Sequence, residues 1–439
     1  MQSYDLHQSS DNNPTLFFNN MNYDSFFMYD DNNHHNSEEL WPSSITETSS
    51  KSSSSPVISI FCENDLLELN EWFPDLIHEF TFPIMGVEID NQLSMIELLK
   101  AYGDAMEKEQ LELVNVIVKR AREKVSPIGL PIERVMYYLF RPDNNNYLLK
   151  ESMKNFNVAF ETFYRNFPFW KFSHLTANNM ILEGVPNQTE VIHIVDFDVG
   201  SGIQWSSLFE SVSYQRKKVK LSLIKWEDDD DHGYWDIEET KIWLQEHAQA
   251  FGLNLEVNII NLHGLTRISS EWLVFNCIPQ MGNAMNQHKT NEFLRVAKRL
   301  SANMITYNGD YKTEDDSFSN ISSLLDKHIS CYHAMMESME LTFPFHLVEA
   351  RTAMECLFVG PLVSSFEDEL DYYHRCGLKT EFGLMDGWRI SHESVLEAME
   401  MVSAWGEGLY GVGIEGEKGN EIVLKWRDVS LVRVSCWRR

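Results

Sequence analysis

Basic side chains are scarce in this sequence. It has 36 Lys and Arg residues against 66 Asp and Glu residues, which gives a formal net charge of -30 at pH 7. Affinity for nucleic acid depends on neutralising phosphates with Lys and Arg, so this balance disfavours a protein that reads DNA alone. We therefore expect any contact with DNA to be indirect.

Cysteines are few and scattered, with six in 439 residues. They form no CxxC pair and no dense framework, which argues against a zinc ribbon or a disulfide scaffold and favours a reducing compartment. No basic segment followed by an apolar run opens the chain, and no apolar stretch approaches the roughly 18 residues that a membrane span needs. We expect a protein that is neither secreted nor membrane-bound. The cysteines are Cys62, Cys277, Cys331, Cys356, Cys376 and Cys436.

Residues 1–60 are rich in Asn, Asp and Ser and show no sustained helical or strand period, which predicts a disordered N-terminal region. Within it, aromatic residues such as Phe17 and Phe26 alternate with acidic residues such as Asp24 and Asp30. This interleaving is typical of disordered activation segments. An unselected linker explains it equally well.

Apolar residues recur every three or four positions from Leu93 to Met106 and from Leu111 to Val125, and a further helix is expected from Ile132 to Phe140. The pattern predicts a helical cap over about residues 67–150, continued by helical segments between Tyr147 and Glu183. Such stripes are usually internal core, although helices of this kind can also share an apolar face with another chain.

From Val191 onward, short apolar runs alternate with stretches of helical character. This alternation predicts an α/β fold with a mostly parallel sheet over about residues 185–439. A long helical stretch is expected around Ile329 to Met354, and a C-terminal antiparallel hairpin is expected to close the sheet edge. The predicted strands are 191–196, 219–224, 255–260, 272–276 and 304–307, and the hairpin strands are 422–426 and 431–437.

A glycine-rich turn follows the first predicted strand. In nucleotide-binding folds such a turn lets the backbone approach a ligand beside a helix N-terminus, which makes Asp198, Gly200 and Gly202 candidate cofactor contacts. Glu227 follows the second strand, where an acidic residue often binds a ribose. However, Gln204 replaces the third glycine and the bulky Trp205 follows it, so we predict a vestigial turn, filled by side chains and holding no cofactor.

Other chemical signals are weak. The sequence contains no HExxH, no G-x-S-x-G and no G-x-x-x-x-G-K-[ST] motif. We expect structural roles for His193, His328 and His333 and a solvated patch for the acidic run 227–231, so neither a catalytic nor a metal site is predicted. The basic run 216–220 is either a solvated turn or a nuclear-import or phosphate patch.

Several segments, taken in order, resemble the GRAS family of plant transcriptional regulators. The first strand, Val191, Ile192, His193, Ile194, Val195 and Asp196, is similar to its VHIID motif. Ser435, Cys436 and Trp437 are similar to its SAW motif, with Cys436 in place of alanine. Arg351 and Glu355 resemble the pattern that follows its PFYRE region, and residues 93–106 resemble its first leucine-rich region. Within the family, the runs 224–227 and 423–426 look most like the nodulation signalling pathway two type.

The resemblance implies a methyltransferase-like Rossmann core with a helical cap, dimerisation through the cap, and regulation of transcription in the nucleus without enzymatic activity. It implies partnership with other GRAS proteins and with DNA-binding transcription factors, and the subgroup suggests symbiosis signalling. Leu99, Leu113 and Ile117 on the cap helices are the candidate partner contacts. Two alternatives remain: an S-adenosylmethionine-dependent methyltransferase using the glycine-rich turn, and direct promoter binding through residues 216–220 or Arg433, Arg438 and Arg439.

Overall fold

The computed structural model describes residues 88–140, 146–226, 235–283, 286–309, 320–370 and 385–439. The predicted disordered region, residues 1–60, lies outside these ranges, as do Glu227 and the acidic run after it. None of the helices in the described ranges is long and apolar enough to cross a membrane.

Among the described residues, only helices precede the first strand. Proline opens two of them, Pro131 and Pro168, where its fixed φ suits the first helical position and its missing N–H costs nothing. The predicted helices over 93–106, 111–125 and 132–140 are present with small shifts at their ends. The helices are α1 Glu88–Glu107, α2 Leu111–Arg122, α3 Pro131–Leu139, α4 Asn146–Met153, α5 Phe156–Asn166 and α6 Pro168–Gly184.

The sheet begins at Val191 and confirms the predicted α/β fold. Its first five strands are parallel and lie in the order β3-β2-β1-β4-β5, which is the order of doubly wound folds. They are β1 Val191–Asp196, β2 Lys218–Ile224, β3 Leu255–Ile260, β4 Trp272–Cys277 and β5 Met304–Asn308. The helices between them are α7 Ile203–Ser213, α8 Ile237–Ala250 and α9 Gln287–Arg299.

Antiparallel strands extend the sheet beyond β5. The C-terminal hairpin is confirmed, but the prediction that it closes the edge is wrong, because a further strand lies outside it and completes the order β5-β9-β8-β7. A two-residue strand also pairs with β9. These strands are β6 Asp386–Gly387, β7 Tyr410–Glu415, β8 Glu421–Trp426 and β9 Val429–Arg438, and the helix before β7 is α13 His392–Ser403.

The long helical stretch predicted around Ile329 to Met354 is interrupted. Helix α10, Ile321–Thr342, ends just before Pro344, which lacks the N–H that would continue the helix. The chain then resumes as α11 Val348–Met354, one π-helical turn at Glu355–Val359 and α12 Gly360–Ser364. Helix α10 packs against α1 and α3, so the helical layer combines N-terminal and C-terminal segments.

Candidate functional site

The turn after β1 has the backbone shape that its glycines predict. Gly200 and Gly202 adopt positive φ values of 52° and 78°, and Gly202 stands immediately before α7. Glycine adopts this region without the steric penalty of a side chain. The turn therefore lies at the carboxyl end of β1, where doubly wound folds bind ligands.

The chain's own side chains pack closely against both glycines. A Cβ on Gly200 would come within 2.7 Å of Cδ of Gln280, and one on Gly202 within 3.0 Å of Cδ2 of Leu244. Thr240 donates its hydroxyl to the carbonyl of Gly200 at 2.7 Å. The space that the glycines leave open is thus occupied by protein atoms from α8 and from the segment after β4.

Gln204 holds a network of buried amides behind the turn. Its side-chain amide exchanges two hydrogen bonds with that of Asn276, at 3.2 and 3.1 Å. Asn178 on α6 donates to the backbone carbonyl of Gln204 at 2.7 Å, and Thr306 on β5 donates to Asn276 at 2.8 Å. Satisfied buried networks of this kind stabilise one arrangement of a core. Gln204 therefore ties the turn to β4, β5 and α6.

Trp205 occupies the other side of the turn. It is fully buried, and its indole N–H donates to Oδ2 of Asp196 at 2.6 Å. Asn276 donates to Oδ1 of the same carboxyl at 3.3 Å. Burial raises the pKa of Asp196 to about 7, although these two hydrogen bonds act to lower it. The last residue of the VHIID-like strand is thus enclosed by neighbouring side chains.

Asp198, a candidate cofactor contact, faces the segment after β4. Its Oδ2 accepts hydrogen bonds from the backbone N–H of Gln280 at 3.1 Å and from the side chain of Asn283 at 3.0 Å. These bonds fix the loop that carries Gln280 over Gly200. Glu227, the fourth candidate, lies outside the described residues.

Very little room remains beside the turn. The cavity there has a volume of about 20 Å³, which is space for about one water. Binding sites for small molecules and cofactors occupy about 300–1,000 Å³. A nucleoside cofactor does not fit unless the surrounding side chains move. The lining includes Phe160, Tyr164, His174, Gln204, Gln280 and Met281.

His193 has partners on both ring nitrogens. Its Nδ1 lies 2.7 Å from Glu271 and its Nε2 lies 2.8 Å from the hydroxyl of Ser222. Burial lowers the pKa of His193, while the Glu271 carboxylate acts to raise it. His328 similarly contacts the carbonyl of Val363 through Nε2 at 2.8 Å. Both contacts suit a structural role.

The basic run 216–220 is largely paired within the protein. Lys217 is buried and donates to three backbone carbonyls between β1 and α6, at distances of 3.0 to 3.1 Å. Lys218 and Lys220 form ion pairs with Glu256 and Glu271. These lysines therefore stabilise the start of β2, whereas Arg216 is exposed.

The SAW-like residues lie inside the sheet. Ser435, Cys436 and Trp437 are buried in β9, opposite β5. Trp437 donates its indole N–H to the hydroxyl of Ser435 at 3.0 Å, and burial raises the pKa of the Cys436 thiol. These contacts join the C-terminal strand to the parallel sheet.

Arg351 and Glu355 belong to a buried ion-pair cluster. Nε of Arg134 on α3 lies 3.1 Å from one Glu355 oxygen, and Nε of Arg351 lies 3.7 Å from the other. Both arginines also contact the half-exposed Glu340 at 3.4 Å. No sequence signal points to Arg134, because its ion-pair partners are more than two hundred residues away. The cluster connects α3 with α10 and α11.

The three candidate partner contacts differ in exposure. Leu99 and Ile117 are buried within the single chain, whereas 45% of Leu113 is exposed. Other exposed apolar side chains lie on α1 and α2, and we call this set, with Leu113, the hairpin surface. Its members are Leu93, Ile96, Leu111, Leu113 and Val116, which are 41–67% exposed.

Comparisons with known proteins agree with the sequence motifs. A model of the GRAS domain family matches residues 95–367. The chain is 24% identical to Protein NODULATION SIGNALING PATHWAY 2 of Lotus japonicus, over 79% of this chain and 76% of that protein. It is 25% identical to the protein of the same name from Medicago truncatula, over 64% of this chain and 58% of that one. The crystal structure of SCL7 in Oryza sativa matches the fold with a TM-score of 0.57 and 19% identity, covering 78% of this chain and 99% of SCL7.

Proposed function

The chain belongs to the GRAS domain family, and on that premise we propose that it is a non-enzymatic plant transcriptional regulator. It acts in the nucleus through GRAS–GRAS dimers and through partner proteins that bind DNA. The similarity to two proteins named for nodulation signalling supports a role in symbiosis signalling. The fold then serves as a rigid platform for protein contacts.

The closed turn after β1 is the observation that carries this proposal. Gln204, Trp205 and Gln280 fill the place where a related fold would bind a nucleotide, and the remaining cavity of about 20 Å³ is too small for one. Methyl transfer needs a bound methyl donor. The methyltransferase alternative is therefore the weaker one.

The hairpin surface supports dimerisation. Most large apolar side chains of a folded chain are at least half-buried, and contiguous exposed groups of them mark interaction surfaces. Among the described residues, helix α2 contacts mainly α1, and Leu111, Leu113 and Val116 on it are exposed. Leu99 and Ile117 lie beneath this surface and hold it in place, while Leu113 and Val116 are available to a partner.

Helix α2 also suits a second copy of itself. Glu112 lies four residues before Val116, Arg120 lies four residues after it, and all three are exposed. A two-fold axis through Val116 would place Glu112 of each copy against Arg120 of the other. Self-complementary pairs of this kind are what a symmetric dimer requires. The same arrangement of Glu112 and Arg120 would also suit another GRAS protein whose helix carries charges of the opposite sign at the facing positions.

The distribution of charge favours contact with DNA through partners. The net charge of -30 opposes approach to phosphates. Of the three arginines named in the direct-binding alternative, Arg438 has no ion-pair partner among the described residues, whereas Arg433 is engaged by Glu415 and Glu421. Lys217, Lys218 and Lys220 are likewise engaged.

Sedimentation equilibrium of the full chain tests the proposal, combined with a reporter gene in plant nuclei. We expect wild type to form dimers, and Leu113→Asp to weaken them at least tenfold and to reduce the reporter response. The control is Leu396→Asp on α13, whose side chain is 49% exposed against 45% for Leu113. A Leu113→Asp protein that still dimerises and regulates like wild type would refute the proposed interface.

A further inference from the structure

Arginines gather at the edge of the sheet opposite the glycine-rich turn. Arg438 ends β9, and its pairing with Met304 places it at the amino end of β5. The backbone N–H of Arg439 donates to the carbonyl of Asn303 at 3.2 Å. Arg267 donates to Oδ1 of the same Asn303 at 3.2 Å. Arg267 therefore contacts Asn303 through its side chain, Arg439 contacts it through its backbone, and Arg438 pairs with the next residue, Met304.

Arg438 is held between two indole rings. Its guanidinium carbon lies 4.2 Å from the ring centre of Trp388 and 5.1 Å from that of Trp272. Cation–π contacts of this kind restrain the guanidinium and leave its N–H groups available for hydrogen bonds. Within the described ranges, those N–H groups have no hydrogen-bond or ion-pair partner. The indole N–H of Trp272, although buried, also has none.

No carboxylate among the described side chains forms an ion pair with Arg438. Asp386 stands opposite Arg438 in the β6–β9 pairing, but its carboxylate is bonded to Lys418 at 2.7 Å. Arg299 and Lys298 are exposed in the last turn of α9, close in sequence to the carbonyls of residues 300 and 301 that Arg267 binds. On a chain of net charge -30, an arginine that is held by two indole rings and has no ion-pair partner among the described residues indicates a site for an anion.

The shape of the group indicates what kind of anion. Duplex DNA needs cations spread along a phosphate track, whereas here one guanidinium, that of Arg438, is held by aromatic rings without an ion-pair partner among the described residues. The fixed guanidinium of Arg438 matches the two oxygens of one carboxylate. Beside the cluster, 45% of Ile268 is exposed, next to Arg267, and offers an apolar contact.

We propose that this arginine cluster, Arg438 between Trp272 and Trp388 with Arg267 and Arg439 beside it, is a docking site for an acidic segment of a partner protein in which carboxylates alternate with apolar side chains. Arg438 binds a carboxylate in bidentate fashion. Arg439 and Arg299 attract neighbouring carboxylates, and Ile268 contacts an apolar side chain. The site lies at the opposite end of the strands from the glycine-rich turn and does not involve the hairpin surface.

Fluorescence anisotropy with the full chain tests this site. The probe is a labelled ten-residue peptide of alternating Asp and Leu, compared with the same peptide carrying Asn for Asp. We expect wild type to bind the acidic peptide in a salt-dependent manner and the Asn peptide at least tenfold more weakly. Arg438→Ala should lower the affinity for the acidic peptide by about tenfold, which corresponds to one charge-assisted pair of about 1.4 kcal/mol.

Two further variants separate recognition from folding and from net charge. Arg438→Lys keeps the charge but loses the planar fork, so we expect it to recover only part of the affinity. Lys150→Ala removes an exposed cation on α4 and should bind like wild type. Equal binding of the acidic and Asn peptides, absence of binding, or wild-type affinity in a folded Arg438→Ala protein would overturn the proposal. Tighter binding of a labelled DNA duplex that Arg438→Ala abolishes would overturn it in favour of a nucleic-acid contact.

Discussion

The indole N–H of Trp205 lies 2.6 Å from the carboxylate of Asp196, and both side chains are almost wholly enclosed by protein. Asp196 ends the first strand and Trp205 belongs to the first turn of the following helix. Their hydrogen bond crosses the glycine-rich turn, so two residues beside the place where doubly wound folds bind ligands are bonded to each other.

Removing the indole N–H of Trp205 should destabilise the protein. We expect Trp205→Phe to lower the free energy of unfolding by about 1–3 kcal/mol, because it leaves a buried carboxyl short of one donor. Trp235→Phe is the matched control, since the Trp235 N–H has no partner among the described residues. Urea unfolding of both variants provides the measurement, and an equal loss in the two would contradict the role given to the hydrogen bond.

Asp196 should make stability depend on pH. Burial raises its pKa from 3.8 to about 7, so the folded state holds a proton that the unfolded state releases over this range. The stabilisation is present in full below about pH 4 and is lost as pH rises to about 7, by at most about 1.4 kcal/mol per pH unit. Asp196→Asn should reduce this dependence of the unfolding free energy on pH. The test is the free energy of unfolding measured at several pH values. The same dependence on pH in wild type and in Asp196→Asn would contradict this prediction.

The buried ion pairs of Arg134 should hold the two parts of the helical layer together. We expect Arg134→Met to lower the free energy of unfolding by about 3–5 kcal/mol, since it removes one of the two arginines that pair with the buried Glu355. Lys154→Met breaks the exposed pair with Glu151 and should cost less than about 1 kcal/mol. Thermal or denaturant unfolding compares the two, and a small loss for Arg134→Met would show that the cluster is dispensable.

Charge reversal should distinguish the proposed pairing of α2 from a general apolar contact. Glu112→Arg and Arg120→Glu should each weaken the homodimer, because they place like charges together. The double variant should restore part of the affinity. Sedimentation equilibrium at low and high salt measures the effect, and two single variants that dimerise like wild type would exclude the antiparallel arrangement about Val116.

Most of the sheet could be predicted because its strands are short apolar runs, such as Val191–Asp196, separated by helical segments. The edge strand β7, Tyr410–Glu415, could not, since Gly411 and Gly413 interrupt its pattern and glycine weakens a strand signal. The end of α10 could not be predicted from the sequence, because helical periodicity continues on both sides of Pro344.

At the turn, the sequence indicated Gln204 and Trp205 as obstructions but gave no sign of Gln280 or Asn276. Those two residues reach the turn from β4 and the segment after it, and only the sheet order brings them there. The candidate partner contacts show a second limit of prediction from sequence. Leu99 on α1 and Leu113 and Ile117 on α2 all belong to apolar patterns with a spacing of three or four residues. This spacing does not tell which apolar residues face the chain's own core.

Isothermal titration calorimetry with S-adenosylmethionine tests most directly whether this enzyme-like fold works by protein contact. With Gln204, Trp205 and Gln280 closing the turn, we predict no saturable heat at millimolar cofactor. A stoichiometric isotherm with a Kd well below about 1 mM, equivalent to more than about 4 kcal/mol of binding free energy, would contradict the account, above all if Gly200→Leu abolished it.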